Sequence, residues 1–143
     1  MKYWIALAAG WLGWLATNKV VLLTIGGAAG TNARYWLGIW INSRPWAKWT
    51  NFLGTMVINV TGSLILGFAG ALFLERLAPE HRNWFLLIGT GFCGGYTTFS
   101  TFEYETFKLV QDGSWVLAAV NVIVSVAAGF FALAFAYSLV PKN

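Results

Sequence analysis

The chain has 143 residues, of which 58% are hydrophobic and 10% charged, whereas an ordinary soluble domain is about 45–50% apolar and about 25% charged. Too few charges remain to cover a water-exposed surface of this size, which argues against a cytosolic enzyme, a nucleic-acid binder and a disordered chain. The formal charge of +4 comes from nine Lys and Arg against five Asp and Glu, scattered singly at segment ends as headgroup anchors rather than gathered into a phosphate-binding run.

Residues 1–18 read as a hydrophobic extension ahead of a four-helix transmembrane domain at 19–143. The apolar run from Trp4 to Ala16 is too short to span and is interrupted at Thr17-Asn18-Lys19. As a helix it places Trp4, Trp11 and Trp14 on one face, the pattern of an interfacial helix. A cleaved signal peptide is the rival reading, because Lys2 precedes an apolar run of suitable length.

Four longer stretches follow, at about 20–41, 52–74, 84–107 and 115–140, each near the roughly 20 residues that a membrane helix needs. Short polar connections force consecutive helices to be antiparallel neighbours and put both termini on one side. Trp36, Trp40, Trp46, Trp49, Trp84 and Trp115 cluster near the ends, where amphipathic rings favour headgroups. Lys2, Lys19, Arg76, Arg82 and Lys142 lie on the side of the termini, against Arg44, Lys48 and Lys108 on the other. So small a positive-inside bias permits insertion in both orientations.

The first stretch holds Gly26-Gly27-Ala28-Ala29-Gly30, suited to close helix packing in lipid, and then Arg34. A charge within a span faces protein or water and is a functional candidate, with snorkelling to the nearby interface as the bland alternative. In the second, Thr55, Asn59 and Ser63 recur every four residues and form one polar stripe. Such a stripe is either interhelical glue or the lining of a wet pathway. The third reads Gly89-Thr90-Gly91-Phe92-Cys93-Gly94-Gly95-Tyr96-Thr97-Thr98-Phe99-Ser100-Thr101-Phe102-Glu103. Glycines followed by β-branched threonines predict a break within the span. Non-helical backbone at that depth is tolerated only where protein buries it or it lines a cavity, and its bare carbonyls suit an alkali cation. Phe99 and Phe102, three apart, share a face beyond the break. Asn121, Ser125 and Gly129 form a second stripe on the fourth stretch. One His and one Cys, His81 and Cys93, on different segments offer neither a structural zinc set nor a base–nucleophile pair.

GGAAGTNARY at 26–35, GTMVINVTGS at 54–63 and GFCGGYTTFSTFEYE at 91–105 resemble the Fluc fluoride-channel family, also called CrcB proteins, from about residue 25 to the C-terminus. That resemblance implies an all-α fold, four transmembrane helices with a broken third, assembled as an antiparallel, dual-topology homodimer in the inner or plasma membrane. It implies passive export of fluoride from the cytoplasm, no enzymatic activity and no nucleic-acid partner. By the same resemblance the fluoride pathway comprises Asn59, Phe99, Phe102, Thr55, Ser125, Glu105 and Arg34, and the main-chain carbonyls of Gly94 and Thr97 hold a structural sodium ion. The extension at 1–18 has no counterpart in this pattern, and Asn121 and Gly129 depart from it. A small proton-coupled multidrug exporter is the main rival, but it wants a membrane-embedded carboxylate, and 20–74 contain no Asp or Glu. A structural subunit without transport is the other, and it leaves the stripes and the break without a task.

Overall fold

The computed structural model describes residues 13, 14, 17–45, 47, 50 and 52–141, all of whose regular structure is helical. The expected interfacial helix over 4–16 falls outside the described residues apart from Gly13 and Trp14, as do Lys2, Lys48, Lys142, Trp46 and Trp49. Helix α1 is Lys19–Asn42. It starts where the Asn18 side chain accepts from the N–H groups of Val20 and Val21, at 3.1 and 3.2 Å, and so caps the orphan donors of the first turn. It stops just before Arg44-Pro45, because the residue ahead of proline is pushed out of helical geometry.

Helix α2 is Leu53–Arg76, whose last six residues widen into a π-helical turn before Ala78-Pro79 ends it. The third element, α3, follows 82–96 with a π-helical stretch, Leu86–Cys93, at its centre. Two extended residues, Thr97 and Thr98, separate it from α4, Phe99–Gln111. A turn at Asp112-Gly113 leads into α5, Trp115–Ser138. Gly113 has φ +73°, a left-handed conformation that a side chain disfavours, and this lets α5 fold back beside α4 within three residues.

Among the described residues two helices, Leu53–Arg76 and Trp115–Ser138, are long and apolar enough to cross a membrane. Each has 24 residues and extends about 36 Å, more than the ~30 Å hydrocarbon core. Helix α1 is as long, but Gly26, Gly27, Gly30, Thr31, Asn32 and Arg34 dilute its apolar character. The third predicted span is the one the break divides. Much of the outer face is apolar: Val116, Ile123, Phe130 and Phe131 on α5 are all exposed.

The interior is filled by small residues that bring backbones together. Helix α1 lies so close to α3 that a Cβ on Gly30 would strike the Phe92 carbonyl oxygen, and one on Gly26 would come within 2.9 Å of the Phe92 nitrogen. Close approach through small residues is how helices associate where lipid offers no hydrophobic drive. At one end of the bundle Phe52, Leu109 and Ala118 form a compact apolar cluster that ties α2, α4 and α5 together.

Candidate functional site

The break is made by side chains rather than by glycine. Gly94 and Gly95 stay helical, and the chain leaves the helix three residues later at Thr97 (φ −82°, ψ 161°) and Thr98 (φ −151°, ψ 118°). Thr97 still completes the last turn of the first half, since its N–H and its hydroxyl both donate to the Cys93 carbonyl, at 2.9 and 2.8 Å. Asn59, 39 residues earlier on α2, then takes hold of Thr98. Its Oδ1 accepts from the Thr98 N–H at 2.8 Å and its Nδ2 donates to the Thr98 carbonyl at 3.0 Å. The Thr98 hydroxyl caps the second half by accepting from the Thr101 N–H at 3.3 Å.

These bonds leave particular carbonyls bare. In an unbroken helix the N–H of Thr98 would bond to the Gly94 carbonyl and that of Thr101 to the Thr97 carbonyl; here the first goes to Asn59 and the second to the Thr98 hydroxyl. Gly94 is exposed, and nothing stands within 4 Å of where its Cβ would be. Two hard, neutral oxygens without helical donors fit an alkali cation. Among the described residues no group of three or more His, Cys, Asp or Glu is placed to hold a metal ion.

Three cavities meet at the break. The first, about 470 Å³, is bordered by Asn59, Ser63, Gly94, Thr97, Thr98 and Phe99. The second, about 380 Å³, is bordered by Arg34, Asn42, Thr55, Thr98, Thr101 and Glu105. The third, about 350 Å³, is bordered by Phe99, Phe102, Glu103, Thr106 and Val122. Thr98 walls the first two and Phe99 the first and third, so the start of α4 is their common partition.

The residues predicted from sequence therefore fall into distinct groups. Asn59, Phe99, Gly94 and Thr97 share the first cavity, while Arg34, Thr55 and Glu105 share the second. Thr55 Oγ1 donates to Glu105 Oε1 at 2.8 Å, and Glu105 Oε2 is buried with no hydrogen-bond partner among the described residues. Phe99 and Phe102 pack with ring centroids 5.8 Å apart and planes tilted by 39°. Phe99 is 70% exposed, so most of that ring has no cover from its own chain.

Ser125 borders none of these three cavities. It is buried and donates to Asn121 Oδ1 at 3.0 Å; Asn121 Nδ2 donates to Thr106 Oγ1 at 2.9 Å, and Thr106 donates to the Phe102 carbonyl at 2.7 Å. This chain of bonds ties the second stripe of α5 to the helix that carries the phenylalanines. Thr98, Thr101 and Thr106 do work at the site that the sequence did not assign to them, and Asn121, read from the sequence as part of a polar stripe, is the link between Ser125 and Thr106. A threonine followed three residues later by another, just beyond a suspected break, was a readable capping signal for Thr98.

A sequence model of a known family, described as CrcB-like protein, camphor resistance, matches residues 21–137. The chain is similar to the fluoride-specific ion channel FluC of Solibacter usitatus, 45% identical over 117 residues that cover 82% of this chain and 93% of that protein. It is also similar to proteins of the same name from Pyrococcus abyssi, 43% identical over 111 residues (76% of this chain, 85% of the relative), and Coxiella burnetii strain CbuK_Q154, 42% identical over 110 residues (76% and 86%).

Proposed function

The chain belongs to the CrcB-like family, and on that premise we propose that it is a membrane channel that lets fluoride leave the cytoplasm down its electrochemical gradient, and not an enzyme. Its relatives carry the name fluoride-specific ion channel. The observation that supports a pathway in this chain is the start of α4, where Thr98 and Phe99 separate cavities lined with amide, hydroxyl and aromatic groups.

Fluoride is small and strongly hydrated, so a conducting protein must replace its water with hydrogen-bond donors. The Asn59 amide has two N–H donors, of which one is engaged by the Thr98 carbonyl. The remaining one and the Thr101 hydroxyl are the free donors along the two cavities; the Thr55 and Thr98 hydroxyls give their protons to Glu105 and Thr101, at 2.8 and 3.0 Å, and must turn from them to reach an anion. The edges of Phe99 and Phe102 add the weakly positive rim of the aromatic quadrupole. Several weak sites in series suit conduction better than one fixed cation, which would hold the anion too long. Arg34, at the second cavity, draws anions toward the entrance; Ser125, buried beside Asn121, braces α4.

In this reading the functional unit is an antiparallel, dual-topology homodimer spanning the inner or plasma membrane among lipid, and the second copy covers the exposed Phe99 and Gly94. The carbonyls of Gly94 and Thr97 are the atoms that would hold a structural sodium ion, and a bound sodium supplies positive charge without an ionisable side chain. A proton-coupled transporter is the second reading, favoured by the half-satisfied buried carboxylate of Glu105.

Liposomes loaded with potassium fluoride and chloride, treated with valinomycin and read with two ion-selective electrodes, decide between them. The channel reading expects potassium-driven fluoride release with chloride retained. No release from folded protein overturns it, and release that follows a pH gradient instead of the membrane potential selects the second reading. Phe99→Ile or Phe102→Ile is expected to slow fluoride release about tenfold, as loss of roughly 1.4 kcal/mol of aromatic contact would, with the dimer intact by size-exclusion chromatography. A monomeric product would assign the rings to packing.

A further inference from the structure

We infer that Asn59 is the positioning residue that creates the cation site, so that one side chain of the anion track also opens the main-chain oxygens on the other side of the break. This deepens the sodium reading above and rests on it.

The local sequence favours a break in this stretch but does not fix the residue at which it falls. Gly94 and Gly95 are both helical. Threonine is also compatible with a helix in this protein: Thr61 and Thr106 sit inside α2 and α4, with their hydroxyls donating back to the carbonyls of Val57 and Phe102, four residues before. Thr97 makes the same back-bond, to Cys93. The residue that departs from the pattern is Thr98, and it alone of these four has both main-chain polar groups bonded to a side chain of another helix. The Asn59 carboxamide is a donor and an acceptor on one plane, so it matches the N–H and C=O of a single extended residue. Helix α2 also makes room for the extended segment, because a Cβ on Gly62, one turn after Asn59, would collide with the Thr97 methyl group.

Asn59 thus competes with the Gly94 carbonyl for one proton, the Thr98 N–H. While Asn59 holds that proton, the Gly94 oxygen has a lone pair to offer. Without Asn59, the N–H returns to Gly94, the helix runs on by a turn, and the oxygen is closed to a cation.

The test is thermal unfolding of the purified full-length protein in detergent, titrated with sodium chloride against N-methylglucamine chloride at constant ionic strength. The wild-type chain is expected to gain stability as sodium rises. In Asn59→Ala the sodium concentration for half-maximal gain is expected to rise about tenfold or more, the equivalent of one lost hydrogen-bond preference. Asn59→Leu fills the space of the amide and gives the same reading if the alanine variant does not fold. Asn59→Asp keeps an oxygen for the Thr98 N–H and is expected to retain the sodium response. Phe99→Ile, which touches the pathway but not the clamp, is expected to retain it as well. A purely structural role would lower stability equally with and without sodium. An unshifted sodium midpoint in Asn59→Ala and Asn59→Leu overturns this inference and leaves the sodium reading standing. No sodium response in the wild-type chain removes the sodium reading itself.

Discussion

Asn59→Asp is expected to reduce fluoride release from proteoliposomes on the order of a hundredfold or more, while the protein remains folded. The substitution replaces the amide nitrogen and its two donors with one acceptor oxygen and adds a negative charge beside the track. Two like charges about 4 Å apart repel by about 4 kcal/mol at the effective dielectric of a partly wet site, and each ~1.4 kcal/mol on a barrier is a factor of ten. The carboxylate still accepts from the Thr98 N–H, so the fold at the break survives, although its second oxygen now opposes the Thr98 carbonyl that Nδ2 engages at 3.0 Å. Fluoride electrodes report the flux, and size-exclusion chromatography reports the assembly. Wild-type flux in this variant would remove Asn59 from the pathway.

Gly30→Ala is expected to have the largest effect on stability of any single methyl addition between α1 and α3. The new Cβ would strike the Phe92 carbonyl oxygen and stand 2.8 Å from the Tyr96 nitrogen, both main-chain atoms that cannot rotate away. Overpacking of this kind costs about 1–3 kcal/mol and at times more, because two rigid elements must part. The displaced element is the one that ends in the break, so flux should fall with stability. Gly27→Ala is the internal control: its Cβ would meet only the Gly91 carbonyl oxygen, at 3.9 Å, an ordinary contact. Helix propensity alone would raise the melting temperature of both variants, because alanine is the better helix former, so a shared gain would show that the crossing does not decide, whereas a loss confined to Gly30→Ala identifies the crossing.

Much of the helical layout could be read from the sequence because its determinants are local. Asn18 ahead of an apolar run marks the start of α1, Pro45 and Pro79 mark stops, and Gly113 marks the turn before α5. The glycine cluster of the first span does what small residues in a membrane helix do, at Gly26 and Gly30. The break was legible to within a few residues, across the glycines and threonines of 94–98, but not which of them leaves the helix. The helix yields at Thr97-Thr98, where a side chain 39 residues away is within reach. No local rule contains that partner. Ser125 illustrates the same limit from the other direction. Its four-residue spacing from Asn121 is visible in the sequence, but the bond between them, and the onward link from Asn121 to Thr106, depend on how α4 docks against α5.

The interruption at Thr97-Thr98 also divides one long helix into two shorter ones that meet end to end. The first, over 82–96, presents the carbonyl end of its macrodipole, and the second, Phe99–Gln111, presents its amide end. Each end is equivalent to about half an elementary charge, negative for the first and positive for the second. The break is therefore bipolar, with one pole that favours a cation and another that favours an anion. Residues 94–102 carry no charged side chain, so the field these poles generate comes from peptide groups alone and stays constant across the pH range in which carboxylates and histidine titrate.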